Sequence, residues 1–188
     1  MPETDPARLT FDLGYENGYT EKIIDTLNEK GVVGTFFVTM HYATSAPHVI
    51  KRIVEEGHIL ANHGVNHLSM PTLSVADMER EIMGLHEYIL ENYGYEMYLF
   101  RPPMGEFSEQ ALAVATNLGY RSIQWSYAYY DYDVANQPDP ASAYQWVTAA
   151  AHPGAIYLLH AVSATNTEIL GEVIDYLRNS GIGISNSW

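Results

Sequence analysis

Two histidines at positions 63 and 67 have a spacing that is typical of a metal site. His63 and His67 enclose Gly-Val-Asn, so a helical turn there would place both imidazoles on one face. Neutral imidazoles bind divalent cations, of which Zn²⁺ is the commonest in such sites. The chain has no cysteine, so any metal must be bound by His, Asp or Glu. A capping His63 and a surface-exposed His67 would explain the spacing without a metal.

An aspartate and a histidine that each end an apolar strand indicate acid and base chemistry. Asp12 follows the apolar run 8–11, and Gly14 gives the backbone freedom to leave the strand. His160 ends an apolar segment late in the chain, and Asp131 could pair with it. A carboxylate partner favours the protonated imidazole that a general acid requires. On local sequence alone, a turn-capping Asp12 and a structural His160 are the simpler interpretations.

Arg101 precedes two prolines, which hold the backbone extended and would help to orient its guanidinium. Close to Asp12, this cation would keep the carboxylate ionised. The backbone amide of Met104, three residues later, could donate to a developing oxyanion. A rigid loop whose arginine pairs with a surface carboxylate is an equally good local interpretation.

The charge and the aromatic residues limit the class of partner. Nine basic residues against 23 acidic ones give a net charge of −14, which argues against nucleic acid and anionic membranes. A neutral or mixed-charge substrate fits better. The aromatic-rich segment 125–132 could stack on sugar rings, and Trp125 and Tyr129 are the candidates for substrate contact.

The elements that must position these residues alternate between strand and helix about seven times. This predicts an α/β fold with parallel strands, a distorted or incomplete (β/α) barrel forming a single domain over 1–188. The alternative is an open, doubly wound sheet. In either fold the candidate residues follow successive strands and share one rim, as expected of an active-site face. Strands are predicted at 8–12, 32–39, 58–62, 97–100, 120–125, 155–159 and 181–185, and helices begin near 20, 47, 74, 108, 141 and 167.

Two further expectations concern location. No apolar run approaches the length of a membrane span, so we expect none. The first six residues do not have the pattern of a signal peptide, so no signal segment is expected in this chain. We expect a monomer.

Five motifs in a shared order, over nearly the whole chain, make the sequence similar to the polysaccharide deacetylases. These are metal-dependent carbohydrate esterases that remove N- or O-acetyl groups. Longer segments most resemble the peptidoglycan N-acetylmuramic acid deacetylases, which prepare muramic δ-lactam in the spore cortex. The motifs are Thr10–Gly14, His63–His67, Arg101–Ser108, Trp125–Asp131 and Leu158–His160.

The resemblance implies hydrolytic deacetylation of a cell-wall glycan, most specifically at N-acetylmuramic acid in peptidoglycan. It implies a divalent metal, with Zn²⁺ expected, and an extracellular or cell-wall location. The implied roles are Asp12 as the catalytic base, His160 as the acid with Asp131 as its partner, Arg101 as the residue that holds Asp12, and His63 and His67 as metal ligands.

One position departs from the family pattern. Leu13 stands where family members usually carry a second aspartate, the third metal ligand, and leucine cannot bind a metal. Asp12, Glu16, Asn17 or water could complete the metal shell. Two alternatives stay open: a catalytically silent glycan-binding domain that lost its metal, and a deacetylase of chitin-type, N-acetylglucosamine or xylan substrates. Retention of both an acid and a base candidate favours the enzyme.

Overall fold

The computed structural model describes residues 5–188. The first four residues, on which part of the expectation about a signal segment rests, lie outside this range. The six strands belong to one sheet, in the order β5-β4-β3-β2-β1-β6. They are β1 (Arg8–Leu13), β2 (Thr35–Val38), β3 (Ile59–Asn62), β4 (Leu99–Phe100), β5 (Arg121–Ser122) and β6 (Ile156–His160).

The predicted α/β class, an incomplete (β/α) barrel with parallel strands, is confirmed, with six strands rather than about seven. The segment 181–185 does not form the expected last strand. It makes a single bridge, between Ile184 and Ala7. Two glycines, Gly181 and Gly183, account for this, because glycine weakens a strand through its backbone entropy and lack of a side chain.

The helices confirm the predicted alternation. No helix of the described chain is long and apolar enough to cross a membrane. One short helix, α2, was not predicted, because its segment lacks a regular apolar spacing. The Thr39 side chain caps this helix by accepting a hydrogen bond from the Tyr42 amide. The helices are α1 (Thr20–Glu29), α2 (Met40–Ser45), α3 (Pro47–Glu55), α4 (Val75–Tyr93), α5 (Glu109–Asn117), α6 (Pro140–Ala149) and α7 (Ala164–Asn179).

The chain divides into two compact units, each of which is described by itself. The expectation of one domain over 1–188 stays a prediction. The first unit contains residues 5–12, 16–35 and 125–188. In it, β1 and β6 pair in parallel, with Thr10 opposite Leu158 and Asp12 opposite His160. Apolar residues of α1 and α7, such as Leu27 and Ile174, are fully buried.

The second unit contains residues 13–15 and 36–124. Its strands β3, β4 and β5 pair in parallel, so that Asn62 lies opposite Phe100. Side chains from several elements form its core, including the fully buried Ile50, Leu60 and Ile82. The polar residues that follow β3 and β4 begin directly at the ends of these short strands.

The start of α4 offers a test of helix capping. The Ser74 Oγ accepts a hydrogen bond of 3.2 Å from the Asp77 amide, which also donates to the Ser74 carbonyl at 3.0 Å. We expect Ser74→Ala to lower the free energy of unfolding by about 1 kcal/mol. Urea denaturation should show this loss, and Ser74→Thr, which keeps the hydroxyl as acceptor from the Asp77 amide and donor to the Asp77 carboxylate, should recover most of it. Equal stability of the wild-type protein and the Ser74→Ala variant would contradict the cap.

Candidate active site

Asp12 and His160 lie side by side in the first unit. Asp12 is the penultimate residue of β1 and His160 the last residue of β6, and the two are register partners in adjacent parallel strands. Parallel strands end at the same edge of a sheet, so two polar residues far apart in sequence become neighbours there. Asp12 is only 7% exposed, whereas the side chain of His160 is about a quarter exposed.

The predicted contact between Asp131 and His160 is present. The fully buried Asp131 accepts the Nδ1–H of His160 at 2.6 Å and the backbone N–H of His160 at 2.8 Å. Since a carboxylate oxygen is an acceptor, Nδ1 of His160 must carry the hydrogen. Nε2 is then the ring atom that can exchange a proton with a reacting group.

Asn166, near the start of α7, extends this hydrogen-bonded group and was missed by the sequence reasoning. Its Nδ2 donates to Asp131 Oδ2 at 2.6 Å and to the His160 carbonyl at 3.1 Å. Its Oδ1 accepts the hydroxyl of Tyr129. Asn166 is 1% exposed and Asp131 is fully buried, so the hydrogen bond between their side chains is shielded from water. A polar residue in the first turn of a helix resembles an ordinary capping residue, which is why the pattern gave no specific signal.

Tyr129, a candidate for substrate contact, directs its hydroxyl inward to Asn166. Its ring stacks on Tyr127, and burial raises the pKa of Tyr129, so it remains a neutral hydrogen-bond donor. Two other tyrosines are more exposed: Tyr130 at 60% and Tyr132 at 50%. The Tyr132 ring lies 5.4 Å from the His160 ring in an edge contact. The roles of Trp125 and Tyr129 as sugar contacts stay predictions.

His63 and His67 are close to each other in the second unit. Their ring centroids are 4.9 Å apart, with an angle of 72° between the planes. The helical turn that the spacing would allow does not form, because residues 63–67 form an irregular loop. Gly64 has φ 86° and His67 has φ 56°, and this left-handed backbone brings the rings together. Positive φ at a non-glycine residue is unusual and often marks a functional site.

The hydrogen bonding of His63 fits a metal ligand. Its Nδ1 lies 2.8 Å from the carbonyl oxygen of Arg101, so Nδ1 carries the hydrogen and Nε2 carries the lone pair. Metal-binding histidines usually donate their second ring N–H in this way. Because of this hydrogen bond and the closeness of the two rings, His63 and His67 fit the histidine part of a divalent-metal site. Leu13 is fully buried and adds no ligand, and no group of three His, Asp or Glu side chains within residues 5–188 could hold an ion.

Arg101 is fully buried directly after β4. Its guanidinium lies 4.1 Å from the centre of the Phe37 ring, and its Nε donates to the Ile123 carbonyl at 3.3 Å. The following loop contains Met104, which has a left-handed backbone with φ 59° and a half-exposed side chain. The roles of Arg101 toward Asp12, and of the Met104 amide toward an oxyanion, stay predictions.

A parallel α/β fold with an aspartate, a carboxylate-bound histidine and a pair of imidazoles after its strands has the features expected of a hydrolytic deacetylase. The model of the polysaccharide deacetylase family matches residues 2–123. The chain therefore belongs to the polysaccharide deacetylase family, and the enzyme class predicted from its motifs is confirmed.

One known protein, compared by its sequence and by its structure, places the chain within this family. The peptidoglycan-N-acetylmuramic acid deacetylase PdaA of Bacillus subtilis (strain 168) is 43% identical over 174 residues, which are 92% of this chain and 66% of PdaA. The chain thus spans about two thirds of the length of that relative. The structure of B. subtilis PdaA, a family 4 carbohydrate esterase, has a TM-score of 0.91 and 41% identity, covering 96% of this chain and 78% of that one.

A second similar protein is a pseudoenzyme. BA3943 of Bacillus anthracis, described as a family 4 pseudoenzyme, has a TM-score of 0.87 and is 26% identical, covering 98% of this chain and 64% of that one. The family fold therefore occurs both in deacetylases and in a protein without activity.

Proposed function

We propose that this chain is a metal-dependent hydrolase that removes the acetyl group from N-acetylmuramic acid in peptidoglycan. The observation that carries the proposal is the placement of Asp12 beside His160, whose Nδ1–H is held by the buried Asp131. A base and an oriented acid next to each other are what amide hydrolysis requires. The identity with PdaA, 43%, supports the choice of substrate.

In the proposed reaction, Asp12 removes a proton from a water molecule as that water attacks the acetyl carbonyl. His160 donates a proton from Nε2 to the departing nitrogen, so the C–N bond breaks and leaves acetate and a free amino sugar. Arg101 keeps Asp12 ionised and oriented, and the Met104 amide donates to the developing oxyanion.

His63 and His67 would hold the divalent cation, with Zn²⁺ proposed. When bound, such an ion supplies Lewis acidity, which polarises a carbonyl and lowers the pKa of a water molecule.

The surface around His160 supports a sugar substrate. The exposed rings of Tyr130 and Tyr132 lie 4.5 Å apart, and Tyr132 contacts the His160 ring. Aromatic faces bury the apolar faces of sugar rings, and a net charge of −14 does not attract polyanions. We propose further contacts from Trp125 and Tyr129, an extracellular or cell-wall location, a role in the spore cortex and a monomeric state.

The decisive experiment measures acetate. The protein is stripped of metal, supplied with Zn²⁺, Co²⁺ or Mn²⁺, and incubated with peptidoglycan strands freed of peptide or with chitooligosaccharides. We expect acetate release with metal, its loss with a chelator and its return when metal is restored. Mass spectrometry should place the lost acetyl group on muramic acid. No release with any of these metals on either substrate would reject the deacetylase.

A second candidate function is supported by specific observations. Leu13 is fully buried and cannot bind a metal, and the chain resembles the pseudoenzyme BA3943. A catalytically silent domain would bind the same glycan strands in a calorimetric titration and release no acetate. Elemental analysis of the purified protein separates the two, since the enzyme is expected to retain a divalent ion.

A further inference from the structure

A buried carboxylate on α4 contacts the loop that carries the two histidines. Glu81 is only 5% exposed, although it lies in the middle of a surface helix. Both of its carboxylate oxygens accept hydrogen bonds from Asn66: Oε2 from the backbone N–H at 2.8 Å, and Oε1 from Nδ2 at 2.6 Å. Hydrogen bonds to a charged acceptor are stronger than neutral ones, particularly where water is excluded.

The same turn of α4 contacts the loop at three further points. The backbone carbonyl of Glu81 accepts the Val65 amide at 3.1 Å, and the Ile82 carbonyl accepts Nδ2 of Asn62 at 2.8 Å. At Gly84, a Cβ atom would meet the Val65 side chain at 3.0 Å, so the helix backbone itself approaches the loop. These contacts fix the chain immediately before and after His63.

The loop needs such support because its backbone is strained. His67 has a left-handed backbone with φ 56°, a conformation that residues other than glycine rarely adopt. At Gly64, with φ 86°, a Cβ atom would lie 3.2 Å from Oε2 of Glu81. Strained conformations of this kind persist only where the surrounding structure holds them. Asn66, the residue that Glu81 binds, directly precedes His67.

We propose that Glu81 is a positioning residue for metal binding. Through Asn66 it holds the loop in the conformation in which the rings of His63 and His67 lie close together before a metal arrives. This inference rests on the proposed metal dependence and deepens it. Because Leu13 supplies no ligand, the affinity of the remaining imidazole pair depends strongly on preorganisation of this kind.

The test measures metal affinity in the absence of substrate. Zn²⁺ is titrated calorimetrically into the metal-stripped wild-type protein and into the Glu81→Gln and Asn66→Ala variants. In Glu81→Gln, an NH₂ group replaces one of the two carboxylate oxygens and faces an N–H group of Asn66, so one hydrogen bond is lost. In Asn66→Ala, only the hydrogen bond from Nδ2 to Glu81 is lost, and residue 66 is exposed. We expect the Zn²⁺ affinity of both variants to fall by about 10- to 100-fold.

The matched control is Glu79→Gln, which makes the same charge change at an exposed position of α4 and should keep wild-type affinity. Circular dichroism confirms that each variant is folded, and Asn66→Ala decides the question should Glu81→Gln fail to fold. Unchanged Zn²⁺ affinity in either folded variant, or no divalent-metal binding by the wild type, would overturn the inference. A different outcome is that the variants show the expected losses of Zn²⁺ affinity but the wild-type protein releases no acetate. That outcome would reject the proposed deacetylase function and leave the positioning role of Glu81 supported.

Discussion

Replacement of Asp12 by asparagine is expected to lower kcat for acetate release by about 10²- to 10⁴-fold, the usual contribution of a general base. Asparagine has nearly the same volume as aspartate, so the end of β1 should remain intact. It cannot accept a proton from water at neutral pH, so the attacking hydroxide would form unassisted. KM should change by much less than kcat, because the lost interaction acts mainly in the transition state.

Initial rates at saturating substrate, measured on metal-loaded protein, test this expectation. The control is Asp25→Asn, which makes the same change at an exposed position of α1 in the same unit and should retain wild-type kcat. Equal Zn²⁺ content in the three proteins must be verified, so that a loss of metal is not mistaken for a loss of the base. If the Asp12→Asn variant keeps more than a tenth of the wild-type rate, Asp12 is not the base.

Local sequence patterns were sufficient for most elements of the fold. The start of the long helix near residue 74 was predicted, because a capping side chain such as Ser74 is a local signal. The proximity of Asp12 and His160 could also be predicted, although it is a tertiary feature. It follows from the rule that adjacent parallel strands end at one edge of the sheet.

The loop around His63 shows where local reasoning fails. Spacing alone allowed a helical turn, but the observed backbone at His67 is left-handed, and the preceding Asn66 donates to Glu81, a residue of a different element. No local pattern specifies such tertiary support. Asn166 was missed for a related reason, because its hydrogen bonds connect two segments that are distant in sequence.

Replacement of Asp131 by asparagine is expected to affect both stability and catalysis. The buried carboxylate accepts the backbone N–H and Nδ1–H of His160 and an N–H of Asn166, at 2.6 to 2.8 Å. In asparagine, an NH₂ group replaces one of the two oxygens and faces at least one of these donors. A buried group left without its partner costs about 1–3 kcal/mol, and bonds to a charged acceptor are at the upper end. We expect the free energy of unfolding to fall by about 3 kcal/mol.

The effect on catalysis should be separable from the effect on stability. Without a carboxylate at Nδ1, the imidazole of His160 is no longer fixed in one tautomer and its protonated form is less stabilised, so kcat should fall by about 10²-fold or more. Urea denaturation gives the stability, and the rate is measured well below the denaturation midpoint, where the variant is folded. Asp133→Asn, two residues away in the same loop, is the matched control, because its carboxylate accepts only from Ala135 and Asn136, outside the His160 group. A folded Asp131→Asn variant with wild-type kcat would show that Asp131 supports the fold and takes no part in orienting the acid.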